Sequence, residues 1–457
     1  MSTVDFKSLG DGVEVQFPLA IHAPFDPAVD YYLNSNVMGL GKGYAVPMEY
    51  TDWREEVMSW KESCYIHAGL NDAPIFRVKG PDALNFFSGI SVNSFAKFPV
   101  GGIKHCIMCN HDGLIMTHGV LLRLDEDEFE SSFLAPYAAY KFYTGGYNAK
   151  AELDQDQVIY QVAGPRSLET LEAASGECLH DIRFARHRMS RIAGMDVRIC
   201  RVGMAGTLAY EVHVKKNIAR EVYDAIFTAG KNFGIKKLGF YAYQLSHTED
   251  GFPQGFMHFT YPWGEDKGMM EFLKMPGFTS PLGGSMGQDM NLRYRNPIEL
   301  GWAKTIKFDH DFIGREALEK EAANPRRTMV TLEWNSEDIL DVYASQYQSG
   351  EPYMPMTPSH FGQVHGSGML VADQVLKDGK MIGISSGRNY SYYYRKMISL
   401  CSIDTEYGAM GTEAGVLWGN PGARQKLIRA TVARFPYLNE NRNENVDVST
   451  IPCQIKK

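Results

Sequence analysis

The stretch Gly203-Met204-Ala205-Gly206-Thr207-Leu208-Ala209-Tyr210-Glu211-Val212 decides how this chain is read. The run Val197 to Val202 before it suits a short strand, and the paired glycines then turn the backbone. A second apolar strand leaves the turn carrying one carboxylate, Glu211. A carboxylate inside such a strand costs several kcal/mol unless something pairs with it. Two readings stay open on this motif alone. Glu211 faces water on an exposed hairpin, or it grips a flat ligand that presents two N–H donors in a fork, such as the aminopyrimidine edge of a pterin.

Working outward, the chain has 457 residues, more than one hydrophobic core usually organises, so two or three packed domains are expected. Apolar residues make up 44% and charged residues 22%, as in ordinary soluble globular proteins. A net charge of −8 argues against nucleic acid or an anionic membrane as partner. No apolar run reaches the roughly 20 residues needed to span a bilayer. Met1-Ser2-Thr3-Val4-Asp5 has neither the basic start nor the apolar core of a secretion signal. Seven scattered cysteines, an odd number, read as reduced thiols of a cytoplasmic protein.

Helix and strand signals alternate irregularly. Helices are expected over Trp53–Ser63, after Gly80-Pro81-Asp82-Ala83, over Ser167–Ala174 and over Ile218–Phe233, the last closed by Gly234. Ile75–Val78 reads as a strand, and Leu114–Leu124 and Glu128–Leu134 as paired strands. From Tyr261 to Arg295 the chain is rich in Gly, Pro and Met without periodicity, as a functional loop or lid would be. Beyond a boundary near Asn324-Pro325 a fresh β-rich unit is expected, with strands at Thr328–Trp334, Gln363–Val371, Lys380–Ser385, Ser399–Ile403 and Gly415–Trp418. These signals divide the chain into an extension (1–44), a two-part region (45–300), a connector (301–326), a β-rich domain (327–437) and a tail (438–457) that wraps the surface or is loose.

The cluster His105-Cys106-Ile107-Met108-Cys109-Asn110-His111 has zinc-like spacing, but a structural site needs a second ligand pair. Cys64, Cys178, Cys200, Cys401 and Cys453 each stand alone in sequence, and alternation on a strand sends Cys106 and Cys109 to opposite faces, so no metal is expected. Gly39-Leu40-Gly41-Lys42-Gly43 and Gly283-Gly284-Ser285-Met286-Gly287 match no phosphate loop or dinucleotide fingerprint. His118 interrupts an apolar strand, and His247 lies in Tyr241-Ala242-Tyr243-Gln244-Leu245-Ser246-His247. Each is a structural histidine or an acid–base group. Tyr241 and Tyr243 face the same way if extended, and are packing residues or, in one case, a general acid.

Taken in order, several segments resemble the folate-dependent aminomethyltransferase family, whose best-known member is the T-protein of glycine cleavage. They are Gly80-Pro81-Asp82-Ala83, Ala163-Gly164-Pro165, the Gly203–Val212 turn, Gly301-Trp302, Asp311-Phe312-Ile313-Gly314-Arg315-Glu316-Ala317-Leu318, Gly383-Ile384-Ser385-Ser386-Gly387 and Gly411-Thr412. Within that family, Thr144-Gly145-Gly146-Tyr147-Asn148 and Ile306–Arg315 look most like the tetrahydrofolate-dependent O-demethylases of vanillate and syringate type. The resemblance implies an α+β fold, a three-domain ring around a central folate channel, ending in a β-barrel-like domain. It implies tetrahydrofolate as acceptor, with Glu211 and Gln161 on the pterin and Phe184 packed against it. Thr117-His118 stands where T-proteins carry Asp-Asp, and Ala242-Tyr243-Gln244 where they carry Ala-Arg-Asp, so the groups for an aminomethyl donor are lost.

That points to methyl transfer from an aryl methyl ether such as a methoxybenzoate. The phenolate leaving group, with a pKa of about 10, needs a proton donor. Tyr243 is the first candidate, with His118 or His247 tuning it or acting in its place. On the substrate side the candidates are Tyr241, Phe252 and, as carboxylate anchors among which the sequence does not choose, His67, Arg123 and Arg388. A small aromatic molecule is the expected partner, with no obligatory protein partner. The alternatives are a folate-dependent demethylase of a sulfonium or N-methyl donor, and a folate-binding iron–sulfur assembly protein, whose Lys-Gly-Cys-x-Gly-Gln-Glu signature the chain lacks.

Overall fold

The computed structural model describes residues 48–68, 75–154, 156–275, 282–359 and 370–455. The extension 1–44, the Gly39–Gly43 cluster and most of the expected strand Gln363–Val371 lie outside the described residues. Three sheets organise the rest, in a mixed α and β architecture.

The first sheet has six strands in the order Ile235–Lys237, Cys64–His67, Gln157–Ala163, Ala209–Lys215, Met195–Cys200 and His187–Ile192. The second has five, in the order Ile103–Cys109, Ile115–Arg123, Glu128–Ser132, Ile75–Lys79 and Lys150–Asp154. The third is a closed barrel of six strands: Arg327–Trp334, Lys396–Asp404, Lys380–Ser391, Ala372–Lys377, Glu413–Trp418 and Lys426–Ala433. Closure leaves no edge strand to protect. The strand Lys426–Ala433, unassigned from sequence, alternates buried and exposed residues from Ile428 to Val432, the period-two signature of a one-sided strand.

Local chemistry sets the elements around the site. Helix Trp53–Glu62 starts at Asp52, whose side chain accepts from the Arg54 N–H, with Glu55 and Glu56 in its first turn. The strand entering the glycine turn ends at Cys200, and the strand leaving it spans Ala209–Lys215. At Gly206, φ is +73° and an added Cβ would lie 2.2 Å from Asp250 Oδ1, so only glycine fits this turn.

Phe240–Asp250 is a helix, not the extended segment considered above, and ten of its eleven residues are buried. Its polar groups are met by the barrel. A register shift between Ser386 and Asn389 bulges the barrel strand toward it. There the Thr248 hydroxyl donates to Gly387 O at 2.8 Å and accepts from Asn389 Nδ2 at 3.0 Å. Ser391 Oγ donates to Glu249 Oε1 at 2.6 Å, and Lys61 Nζ pairs with Glu249 Oε2 at 2.7 Å, both carboxylate bonds inside the protein. The tail is not loose. Asn443 N–H donates to Gly206 O at 2.9 Å, and Arg442 pairs with Asp250 at 2.6 Å.

Candidate active site

Antiparallel register puts His67 opposite Gln161, Gln161 opposite Glu211, and Glu211 opposite Cys200, one row on one face of the first sheet. Glu211 is buried, which rules out the exposed-hairpin reading. Its Oε2 lies 3.1 Å from His213 Nε2, two residues along the same face. His213 Nδ1 in turn lies 3.5 Å from Glu130 Oε1, and Glu130 accepts from Arg77 at 2.6 Å and from Gln157 at 2.8 Å. Burial works against a charge on His213, but Cys200, Glu130 and Glu211 outweigh it and hold its pKa well above 6.5. Burial likewise opposes the Glu130 charge, yet His213, Arg77 and Gln157 hold that carboxyl far below its usual range. The sequence reading missed this chain of charges, although Glu-x-His on a strand always shares a face.

Glu211 reaches a cavity enclosing about 910 Å³ of empty space, its mouth included. Other walls are Val202, Gly203 and Met204 of the turn, His105 and His118 of the second sheet, and Tyr243, Phe252 and Gln254. No lysine or arginine is among the described residues lining it.

Tyr243 is the centre of the polar part. Its ring stacks on His67 at 4.5 Å and meets His247 edge-on at 4.8 Å. His67 Nδ1–H donates to Leu238 O at 2.9 Å and His247 Nδ1–H to Phe252 O at 3.0 Å, so both Nε2 atoms carry lone pairs, and neither has a hydrogen-bond partner. Burial pushes both imidazoles down to about 4, keeping them neutral near pH 7. Burial also raises the Tyr243 phenol, which accepts from Gln254 Nε2 at 3.4 Å. Across the cavity, His105 Nε2 and His118 Nδ1 share a 3.2 Å contact. Burial lowers both, His105 to about 4 and His118 well below 6.5 with help from His105 and His247. Phe252 packs against both imidazoles, 5.0 and 5.8 Å away. His105, read from sequence only as part of a zinc-like run, belongs to this wall.

Four expected residues sit elsewhere. Because Phe240–Asp250 is helical, Tyr241 projects away from Tyr243 and packs on Trp53 at 5.2 Å. Phe184 is 43% exposed and does not line the cavity. Arg123 spends its guanidinium on Phe98 O, Asp125 O and Glu126, pinning a turn of the second sheet. Arg388 is buried and donates to Thr357 O at 2.6 Å.

A pterin's polar edge fits the Glu211 row on one particular observation. Gln161, fully buried beside Glu211, has neither its amide oxygen nor its nitrogen hydrogen-bonded. Such an orphan amide is costly without a ligand.

Comparisons with known proteins agree with this architecture. The GCVT N-terminal domain model matches residues 33–255. The chain is 45% identical to the sesamin methylene transferase of Sinomonas sp. (strain No.22), over 92% of this chain and 96% of that protein. It is 32% identical to the syringate O-demethylase of Sphingobium sp. (strain NBRC 103272 / SYK-6), over 90% and 93%. Among solved structures, the glycine cleavage aminomethyltransferase T of Bartonella henselae superposes with a TM-score of 0.65 at 15% identity, covering 88% of this chain and 93% of that one, a likeness of fold. The named relatives are one-carbon-transferring enzymes, and so is this chain, which removes the accessory-protein alternative. On the matched domain, the two relatives and the shared fold together, the chain belongs to the GCVT aminomethyltransferase family.

Proposed function

We propose that this enzyme moves the one-carbon group of an aryl ether, methoxy or methylenedioxy, to N5 of tetrahydrofolate. The carrying observation is that Glu211, a buried carboxylate, and Tyr243, a buried neutral phenol, line one cavity. Glu211 and Gln161 hold the pterin edge. When bound, the folate supplies the amine lone pair that receives the carbon.

The chain's own residues do the rest. Glu211, fixed from behind by His213, sets the nucleophile's direction, and alignment of this kind replaces translational entropy otherwise lost on encounter. Tyr243 keeps its proton at neutral pH and presents it to the ether oxygen that leaves as a phenol. The proton that N5 would shed on accepting the carbon restores the Tyr243 phenol, with the free lone pairs on His67 and His247 beside it to relay it. His118 and His105, with Phe252, shape the opposite wall.

The substrate is an uncharged arene rather than the methoxybenzoate expected from sequence. A benzoate needs a cation, and none of the cavity's described walls offers one. Arg123 and Arg388 are committed elsewhere, and His67 is neutral. The 45% identity to a relative named for sesamin supports the same direction.

The test is to incubate the purified enzyme with tetrahydrofolate and matched pairs of methoxy- and methylenedioxy-arenes, with and without a carboxylate, and to measure the phenol and the folate product. Turnover of the neutral members is expected. Turnover confined to carboxylates would remove the substrate reading, and none with any aryl ether would remove the reaction itself.

A further inference from the structure

Away from the cavity, side chains from three stretches converge. Glu172 of helix Ser167–Ser175, Cys178 and His180 of the loop after it, and Cys453 of the tail each bring one ligand atom, all within 4.8 Å of one another. The two cysteines, solitary in sequence, are neighbours in space. We propose that these four residues bind a zinc-class divalent cation, which straps the C-terminal tail onto the first sheet's helical layer.

Two thiolates, one imidazole nitrogen and one carboxylate oxygen make a donor set that zinc takes tetrahedrally. Bonds of about 2.0–2.3 Å set such donors roughly 3.5 Å apart, so side-chain shifts of about an ångström close the site. Two independent features point to a cation. Glu172 is 0% exposed, and among the described residues no lysine or arginine pairs with it, His180 Nε2 lying 3.4 Å from its Oε1. His180 Nε2 is itself buried without a hydrogen-bond partner. A buried carboxylate, an orphaned imidazole nitrogen and two thiols are all satisfied at once by one dication.

The backbone is arranged to hold the donors there. Glu172 Oε1 accepts from the Leu179 N–H and Oε2 from the Gln454 N–H, each at 2.9 Å. Those N–H groups belong to the residues directly after Cys178 and Cys453. Binding displaces one proton from each thiol, so affinity falls as pH drops. The ion fixes the part of the tail around Cys453, beyond Arg442 and Asn443 near its start, which hold Asp250 and the Gly206 turn.

The experiment uses the full chain, reduced and freed of metal with a chelator, then titrated with Co²⁺. One equivalent is expected to bind with thiolate-to-cobalt charge-transfer absorption that Zn²⁺ abolishes. Cys178→Ser and Cys453→Ser each diminish that absorption and weaken binding by about 10- to 100-fold. Alkylation mapped by mass spectrometry on the unmutated chain keeps the test independent of variant folding: one equivalent of Zn²⁺ protects Cys178 and Cys453 but leaves the rate at Cys64 unchanged. Stoichiometric Co²⁺ without a thiolate band, a band undiminished in both serine variants, or alkylation of the two cysteines undiminished by Zn²⁺ each overturns the site.

Discussion

His213 and His247 are both buried imidazoles near the same cavity, yet one is held charged and the other neutral. Burial penalises charge at both. At His213 two carboxylates and Cys200 overcome it. At His247 only the Phe252 carbonyl faces the ring's N–H, and burial wins. The residue type therefore says little about a histidine's work, and the groups within about 4 Å of its nitrogens say most of it. On this comparison the charged chain positions Glu211, while the neutral cluster of His67, His247, His105 and His118 handles protons around Tyr243.

The comparison is broken first at Tyr243. Tyr243→Phe is expected to lower kcat by roughly 10²–10⁴-fold while equilibrium dialysis shows folate binding unchanged. Full turnover in this variant would move the donor to one of the histidines. Next is His213→Leu, which strands Glu211 as a buried charge and leaves Glu130 to Arg77 and Gln157 alone. Denaturant titration is expected to show a loss of about 3–5 kcal/mol, the usual result of removing one partner of a buried pair. Unaltered stability would mean that His213 carries no charge. A smaller effect is expected from Glu211→Gln, which keeps shape but loses charge-assisted bonding. Folate dissociation constants should rise roughly 10- to 100-fold, and an unchanged constant would remove the pterin from this row.

The weakest effect, and the one that sharpens the contrast, is in pH. His67, His105 and His247 have folded pKa values near 4 against 6.5 unfolded, so the unfolded chain takes up protons first, and stability falls as pH drops from 6.5 toward 4. His213 is raised, so its contribution is fully present below 6.5 and is lost as pH climbs through its folded value. Thermal melts across pH should show His105→Gln flattening the acid limb and His213→Leu the alkaline one. Parallel curves for both variants would erase the distinction.

Features written in neighbouring residues were legible beforehand. The Gly206 turn and the Glu211 strand follow from glycine conformation and apolar patterning, and most barrel strands from local β-branched runs. The helix Phe240–Asp250 was not, because its residues are polar on every side and only the barrel's bulge at Ser386–Asn389 makes burial affordable. Tyr241 was misplaced for that reason. Arg123 and Arg388 looked like anchors because a sequence shows a charge but not the carbonyls that already occupy it. Lys426–Ala433 carried its alternation openly but is short and mixed with charges. The pairing of Cys178 with Cys453 depends on the tail returning across the molecule, which no local pattern records.

That return has a consequence for biosynthesis. The wall at Val202–Met204 belongs to a turn held by Asn443, which leaves the ribosome long after the turn itself. Domains emerging earlier fold as they appear, but this pocket stays unfinished until Asn443 has emerged. A nascent chain, or one terminated before Asn443, would therefore carry the earlier domains without a working pocket.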